Sequence, residues 1–382
     1  MKLPFKSLGL LLTLILFLFV LPLSAAGADC GRSLASAPNT LEREEDLGIQ
    51  LDVSKAGCSS ASFAVGETHF WIIRGYIPGD LRDALSYEIT AVLDTRLTYG
   101  QGSLSVFLYT KNGDPMRLRL EDHYLLEEVD RNFFRVRLTK AGMAYAMANV
   151  GKGEQDPELH IQFQAAINET ASLGEPIPNM VHLTYVDPNG NKMEANSGIS
   201  QVHTGGITLW NTDSEDSSLP GAVYRLARPA TEAERADPNV ETTFLNIGEE
   251  IQTVVYVPFY ASAALDGGQV WEVTTGEDGM AALCGVAYGS YYLVQMQPSN
   301  GYLLETRPIP VTVSGSSHLP DAAVKICNTK INLPQTGGMG TWIFHLAGIA
   351  VLASAGFLLF TNRKRKYPKV QRTDRFDPDT AN

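Results

Sequence analysis

The sequence predicts an all-β protein in which two β-sandwich domains lie between a signal peptide and a C-terminal transmembrane helix. Two apolar runs stand near the ends of the chain, one after the first lysines and one of 19 residues at 342–360. The chain between them consists of short segments that alternate apolar and polar residues and are separated by Gly, Pro and Asn. That pattern is typical of half-buried strands in sandwiches.

The N-terminus has the three parts of a secretory signal peptide. Lys2 and Lys6 form a positive start, residues 8–23 are apolar, and Ala26-Gly27-Ala28 supplies small residues for cleavage. A charged start, an apolar centre and a small-residue end are what an export signal needs. We therefore expect residues 1–28 to be removed, with a retained N-terminal membrane helix as the alternative.

The C-terminal apolar run is long enough to cross a bilayer. Residues 342–360 approach the roughly 20 residues that a spanning helix needs. Basic residues follow directly at 363–366, and such residues stay on the cytoplasmic side. Everything before Trp342 is therefore expected to face outward.

A short polar motif stands directly before this span and consists of Leu333, Pro334, Gln335, Thr336 and Gly337. Proline disfavours a helix, and glycine leaves the following bond open to a nucleophile. The order of motif, apolar span and basic tail resembles the wall-sorting signal of Gram-positive surface proteins. The resemblance implies that a sortase cuts between Thr336 and Gly337 and joins the Thr336 carboxyl to the amine of a peptidoglycan precursor. An ordinary single-pass membrane protein is the alternative.

Composition and motifs argue against several classes of function. The formal net charge is −12, and the exported part is more acidic still because basic residues concentrate at the two ends. Such a surface disfavours nucleic acid and anionic membranes as partners. No G-x-S-x-G, H-E-x-x-H or P-loop motif occurs. We expect no catalytic residues, no cofactor and no metal site; residues 187–194 resemble a calcium loop only loosely and predict a hairpin turn.

The exported part resembles two domain families of Gram-positive pilins and adhesins. "GITLWNTD", "LPGAVYRL" and "VKICNTK", within residues 207–328, resemble the prealbumin-like B-type domain of collagen-binding proteins, also called SpaA-type. "LDVSKAG" and "IPNMVHLTY", within residues 50–186, more loosely resemble the fimbrial isopeptide-formation domain. The resemblance implies immunoglobulin-like or prealbumin-like sandwiches at 29–200 and 201–331, with the sorting signal, helix and tail at 332–382.

Both families often cross-link themselves by attack of a lysine amine on an asparagine side chain, assisted by an acid. In the second domain the resemblance places Trp210 at the lysine position, Gln295 at the acid position and Asn328 at the asparagine position. Trp has no nucleophilic amine and Gln has no proton to lend. We therefore expect no isopeptide bond in this domain.

The first domain matches the reacting pair but not the acid. The resemblance places Lys55 and Asn179 at the lysine and asparagine positions and Ala91 at the acid position. Asp94 is three residues further on and is expected to face the other side of a strand. A bond between Lys55 and Asn179 is thus an open expectation, with a solvated lysine and a turn asparagine as the alternative.

Four cysteines lie in the exported part, as one near pair at each end. An even number of cysteines outside the cell favours disulfides. We expect Cys284 and Cys327 to tie the last strand of the second domain to its body, with two unrelated thiols as the alternative. Cys30 and Cys58 are expected to tie the N-terminal segment beside the first strand. No spacing favours zinc.

These observations predict a sortase-anchored surface protein of the pilus-subunit type, with a structural or adhesive role. Shaft pilins need an outward lysine, usually within a motif resembling "YPK", and the sole match lies in the tail at 367–369. The expected role is therefore a minor or basal pilin. Partners would be sortase, the peptidoglycan precursor and other pilin subunits or a host or matrix ligand. A monomeric adhesin is the alternative, and a wall-active enzyme is a weaker one.

Overall fold

The computed structural model describes residues 47–110, 114–150, 157–331 and 340–364. The expected signal peptide at 1–28 lies outside the described residues. Contacts divide the chain into two compact units, residues 1–330 and residues 331–382. The first unit contains both sandwiches, and the second contains the C-terminal helix.

The first sandwich is built from three antiparallel or mixed sheets. Their strand orders are β1-β3-β10-β6-β7, with β5 beside β10, then β13-β12-β4-β9-β8 and β11-β14-β2. The strands are β1 Ile49–Val53, β2 Ser60–Ser62, β3 Thr68–Tyr76, β4 Ser86–Val92, β5 Leu97–Tyr99, β6 Ser105–Tyr109, β7 Met116–Arg117, β8 Tyr124–Glu128, β9 Phe133–Leu138, β10 Glu158–Ile167, β11 Ile177–Asn179, β12 Val181–Val186, β13 Lys192–Asn196 and β14 Ser200–His203.

The second sandwich is built from two sheets. Their strand orders are β20-β19-β22-β15-β25 and β17-β18-β16-β23-β24, with β21 beside β16. The strands are β15 Gly205–Thr212, β16 Val223–Pro229, β17 Thr243–Ile247, β18 Glu250–Val257, β19 Phe259–Tyr260, β20 Gln269–Val270, β21 Val273–Thr274, β22 Met280–Val286, β23 Gly289–Gln297, β24 Ile309–Val313 and β25 Val324–Cys327.

Two short helices accompany the strands. Helix α1, Lys140–Asn149, begins after Thr139, whose side-chain oxygen accepts a hydrogen bond from the Gly142 amide. Helix α2, Glu232–Ala236, begins with a capping box in which Thr231 and Glu234 satisfy each other's backbone amides. The predicted all-β class is confirmed, because strands form nearly all of the regular structure in both sandwiches.

Alternation of buried and outward residues explains the central strands. Along β3 every second residue from His69 to Gly75 is buried, and Trp71 and Ile73 are fully inaccessible. Trp71 stacks with Phe163 of the neighbouring strand at a ring-centroid distance of 6.3 Å. Apolar side chains at a period of two therefore place one face of each sheet in the core.

The two sandwiches meet directly at Thr204. β14 pairs with β2 and β11 of the first sandwich, and β15 begins the second sandwich at Gly205. The expected domain boundary between residues 200 and 201 thus falls inside β14. The domain limits stay a prediction, and pairing favours Thr204 as the junction because it is the residue between the two strands.

Helix α3, Gly340–Lys364, has the length and composition of a membrane span. Residues Trp342–Thr361 have a mean hydropathy of 2.2, and their apolar side chains are not covered by protein. Twenty residues at 1.5 Å per residue cover the roughly 30 Å apolar layer of a bilayer. The basic residues Arg363 and Lys364 end the helix, which fits the expected orientation.

We predict that His69 makes the first sandwich sensitive to mild acid. Its ring stacks on Phe63 at 3.9 Å, and burial lowers the His69 pKa from 6.5 to about 4. The folded state therefore favours the neutral ring, so this contribution is complete above pH 6.5 and is lost as the pH falls toward 4. Between pH 7.5 and pH 5 the free energy of unfolding should fall by about 2 kcal/mol from this group.

Denaturant titrations at the two pH values would measure this loss. The variant His69→Leu keeps an apolar side chain in the core and removes the titrating ring, so its stability should depend less on pH. An equal loss in the wild type and in His69→Leu would assign the acid sensitivity to other groups.

Candidate functional site: a buried amide cluster and the wall anchor

Four buried polar side chains meet in the core of the second sandwich. Asn211 and Tyr224 are fully inaccessible, and Gln295 and Asn328 are each 4 % exposed. The Asn328 amide donates to Asn211 Oδ1, and Gln295 Nε2 donates to Asn328 Oδ1 at 2.9 Å. The Tyr224 hydroxyl donates to Asn211 Oδ1 at 2.8 Å and accepts from Gln295 Nε2 at 2.9 Å. We call these four residues the amide cluster.

The remaining hydrogen-bonding groups of the amide cluster are also satisfied. Asn211 Nδ2 donates to the Leu219 carbonyl and to Ser299 Oγ, both at 3.0 Å. Gln295 Oε1 accepts the Glu305 amide at 2.7 Å. Burial raises the Tyr224 pKa to about 12, so its hydroxyl stays protonated and can donate. A buried network in which each member has partners stabilises one arrangement of its strands.

The structure corrects the residue that the sequence placed at the lysine position. Trp210 faces outward, where Lys325 lies over its ring at 5.4 Å, and its Nε1 donates to Ser218. Asn211 is the residue of β15 that points to Gln295 and Asn328. Neighbouring residues of a strand face opposite sides, so an alignment error of one residue exchanges the two faces.

The chemistry of the amide cluster agrees with the expectation that no isopeptide bond forms there. The cross-linking reaction needs a lysine amine, an acid and an asparagine carbonyl. Asn211, Gln295 and Asn328 supply three neutral amides and no nucleophile. The cluster therefore joins the first and last strands of the sandwich, β15 and β25, by hydrogen bonds alone.

The corresponding residues of the first sandwich are not arranged for cross-linking. Lys55 is exposed in the turn after β1, whereas Asn179 is 3 % exposed and its Oδ1 accepts the Asp94 amide at 3.1 Å. Ala91 is fully buried and supplies no acid. Arg96 pairs with the Asp94 carboxylate at 2.8 Å and lowers its pKa, which opposes the protonated form that the reaction needs. The Lys55–Asn179 bond stays an open expectation from the sequence, and this arrangement argues against it.

The expected disulfide between Cys284 and Cys327 is wrong. Cys284 on β22 lies opposite Gly206 of β15, and Cys327 on β25 lies opposite Thr212 of the same strand. Six residues along a strand span about 20 Å, whereas the Cα atoms of a disulfide lie within about 7 Å. Cys284 is a buried thiol whose pKa burial raises to about 11, and Cys327 is exposed.

The other cysteine pair and the sorting motif involve residues outside the described part. Cys58 is buried beside Ser60, whose carbonyl oxygen lies 3.3 Å from its sulfur, but Cys30 lies outside the described residues. The Cys30–Cys58 disulfide therefore stays a prediction. Leu333, Pro334, Gln335, Thr336 and Gly337 also lie outside the described residues, between β25 and α3.

The loop that loosely resembles a calcium site is a hairpin turn. The Asp187 carboxylate accepts hydrogen bonds from the amides of Asn189 and Asn191, each at 2.8 Å. These bonds close the turn between β12 and β13. Within the described ranges no group of three or more His, Cys, Asp or Glu side chains is arranged to hold a metal.

We predict that the amide cluster contributes strongly to the stability of the second sandwich. Asn211→Ala leaves the Tyr224 hydroxyl without its acceptor and leaves Asn328 Nδ2 with only the longer bonds to the Thr212 and Ile326 carbonyls, which should lower the free energy of unfolding by about 2 to 3 kcal/mol. Trp210→Phe, one residue away on the outer face, should lower it much less. Denaturant titration of both variants would check this, and equal losses would contradict it.

We further predict that two substitutions restore the cross-link. In Asn211→Lys with Gln295→Glu, the lysine amine should attack the Asn328 side-chain carbonyl, form an amide and release ammonia. Intact mass should fall by one ammonia. Trp210→Lys with Gln295→Glu is the matched control and should keep its full mass, because residue 210 faces outward. A folded Asn211→Lys, Gln295→Glu protein of full mass would contradict the assignment of position 211.

The intact mass of the wild-type exported part, residues 29–336, tests the remaining predicted cross-links, which are the isopeptide bond of the first sandwich and the disulfides. We predict no loss of ammonia and a gain of two hydrogens on reduction, from Cys30–Cys58 alone. A gain of four hydrogens would show a second disulfide and contradict the strand register around β15. A mass lower by one ammonia would show that the first sandwich forms its isopeptide bond although Lys55 is exposed.

Comparisons with known proteins agree with this architecture. Residues 205–328 match the SpaA prealbumin-like fold domain, and residues 328–366 match the LPXTG cell wall anchor motif. The fimbrial subunit type 1 of Actinomyces viscosus is 24 % identical and is matched over 74 % of this chain. The match spans 58 % of the length of that relative.

Two solved structures of major pilins share the fold. The 35 kDa C-terminal fragment of GBS80 from Streptococcus agalactiae has a TM-score of 0.55 and 22 % identity, over 75 % of this chain and 100 % of the fragment. Full-length RrgB from Streptococcus pneumoniae has a TM-score of 0.51 and 13 % identity, over 76 % of this chain and 75 % of RrgB. The chain is a cell-wall-anchored surface protein that carries a SpaA-type prealbumin-like domain and an LPXTG anchor.

Proposed function

We propose that this protein is a sortase-anchored pilus subunit with a structural or adhesive role. The observation that carries the proposal is the combination of two stacked sandwiches with an LPXTG anchor on one chain. The similarity to the Actinomyces fimbrial subunit, over 74 % of this chain, supports it. Sortase and the peptidoglycan precursor would be the partners during anchoring.

The proposed role within a pilus is that of a minor or basal subunit. The exported sequence has no "YPK" motif to supply an acceptor lysine. This absence supports a subunit that does not form the repeating shaft.

We also propose that the chain is not a catalyst. The families that match it are structural pilin and surface proteins. The amide cluster is closed to solvent and contains no amine nucleophile or charged acid. A monomeric adhesin that binds a host or matrix ligand is the second candidate, and the groove described in the next section supports it.

Wall anchoring can be tested by a single substitution in the motif. Thr336→Ala should move the protein from the wall fraction to the membrane and medium, because Thr336 supplies the carboxyl that is joined to the precursor. Thr329→Ala, an exposed threonine seven residues earlier, is the matched control and should remain in the wall. Wall retention of Thr336→Ala would contradict sortase anchoring.

The pilus role needs a separate measurement. Muramidase extracts of the wall should show this protein in high-mass ladders that disappear when the polymerising sortase is deleted. A single wall-bound band that survives this deletion would instead assign the protein as a monomeric adhesin.

A further inference from the structure

A groove on the second sandwich is separate from the amide cluster and from the anchor. Its volume is about 820 Å³, within the range of small-molecule sites. It lies between the outer part of β16, the end of β18, the chain leading into β17, and the corner at Trp271. We call it the Trp271 groove.

Trp271 presents a large aromatic surface at one side of this groove. The side chain is 55 % exposed, although tryptophan is usually well buried. It stands at a corner where the chain passes from β20 in one sheet to β21 in the other. Both flanking strands are paired, so the backbone around Trp271 is held from two sides. The backbone that carries the exposed ring is therefore fixed before any ligand arrives.

A fixed guanidinium group lies beside this ring. Arg225 donates from Nε and Nη2 to Glu272 Oε1, with an Nε–O distance of 2.8 Å, and its guanidinium lies 5.1 Å from the centre of the Tyr256 ring. An arginine has five N–H donors, and Glu272 occupies two of them. Arg225 lines the groove and its side chain is 33 % exposed, so its other N–H groups can reach a ligand there. The ion pair thus holds the planar guanidinium group of Arg225 in place and occupies only some of its N–H groups.

A second ion pair holds the opposite side of the groove. Arg228 donates from Nη1 and Nη2 to the two carboxylate oxygens of Glu234, at 2.8 and 2.5 Å. Arg228 lowers the Glu234 pKa to about 2, so the pair stays charged in the neutral range. Thr231 anchors Glu234 through the capping box at the start of α2. The polar groups on this side are thus also preorganised.

The charges around the groove nearly balance. The lining contains two arginines, Arg225 and Arg228, and two glutamates, Glu234 and Glu241, together with the hydroxyls of Thr242 and Thr243. Glu272, which pairs with Arg225, adds one further negative charge. A lining this close to neutral does not favour phosphate, a polyanion or a strongly cationic peptide. It favours a neutral ligand that is rich in hydroxyl groups.

We propose that the Trp271 groove binds the pyranose rings of a neutral oligosaccharide. A pyranose ring has an apolar C–H face that stacks on an indole and a rim of hydroxyls that exchange hydrogen bonds with planar charged side chains. The groove offers both groups: Trp271 supplies the indole, and Arg225 supplies the planar charged side chain. The inference goes beyond wall anchoring and does not depend on whether the protein is a pilus subunit.

The experiment uses the purified exported part, residues 29–336, which contains both sandwiches of the compact unit that ends at Lys330. An array of neutral hexose and N-acetylhexosamine oligosaccharides is the probe, and the best-bound sugar is then titrated by isothermal titration calorimetry, whose signal does not depend on the Trp271 ring. Trp271→Ala should weaken binding by about tenfold or more. Glu272→Gln should weaken it less, because it releases Arg225 and leaves the ring in place.

Trp210→Phe is the matched control, because Trp210 lies on the other sheet and should not affect binding. Denaturant titration would establish that Trp271→Ala is as stable as the wild type. Three results would overturn the proposal: no binding to any sugar on the array, sugar binding that Trp271→Ala leaves unchanged, or Trp271-dependent binding of poly-L-proline without sugar binding. The last result would assign the groove to an extended peptide.

Discussion

The hydrogen bond between Asn211 and Asn328 is the constraint on which the second sandwich depends. It joins the first strand, β15, to the last strand, β25, inside a core where unpaired amides would be costly. Gln295 and Tyr224 from the facing sheet complete the network, so both layers are tied at one point. A shift of either strand by one residue would bury several polar groups without partners, and the register is therefore well defined.

A second set of polar contacts joins the two sandwiches. The Val65 amide donates to the Gly285 carbonyl at 2.9 Å, and Gln269 Nε2 donates to the Val65 carbonyl at 3.1 Å. Gly285 has a φ of +70°, and a Cβ there would lie 2.9 Å from the Tyr260 ring. Cys284 is thus buried as part of a closely packed junction. This packing explains why Cys284 is a buried thiol and does not form the disulfide that the sequence predicted.

Much of the fold could be predicted from the sequence because it depends on local patterns. Alternating residues such as those of β3 specify strands, and the mainly apolar 20-residue run Trp342–Thr361 of α3 specifies a membrane span. The two predictions that were wrong, the lysine position and the second disulfide, depend on pairing between strands that are distant in sequence. Trp210 and Asn211 are neighbours in sequence, and only the register of β15 decides which one faces the core. Cys284 and Cys327 lie on β22 and β25, and β15 separates these two strands.

The Trp271 groove could not be predicted from the sequence, because it too depends on contacts between distant segments. Its residues come from β16, β18, the α2–β17 segment and a corner between two sheets, and none forms a motif along the chain. A tryptophan followed by a glutamate at 271–272 was the available signal. Sequence alone could not show that Arg225, nearly fifty residues earlier, pairs with that glutamate.

The parallel pairing of β15 and β25 has a mechanical consequence. The first sandwich connects to the start of β15, at Gly205, and the wall anchor follows the end of β25, at Cys327. In a parallel pair these two points lie at opposite ends of the strands. Tension between the outer domain and the wall would therefore slide the two strands past each other instead of peeling them apart. Sliding loads the whole row of backbone hydrogen bonds at once, and it also loads the Asn211–Asn328 contact between the same two strands.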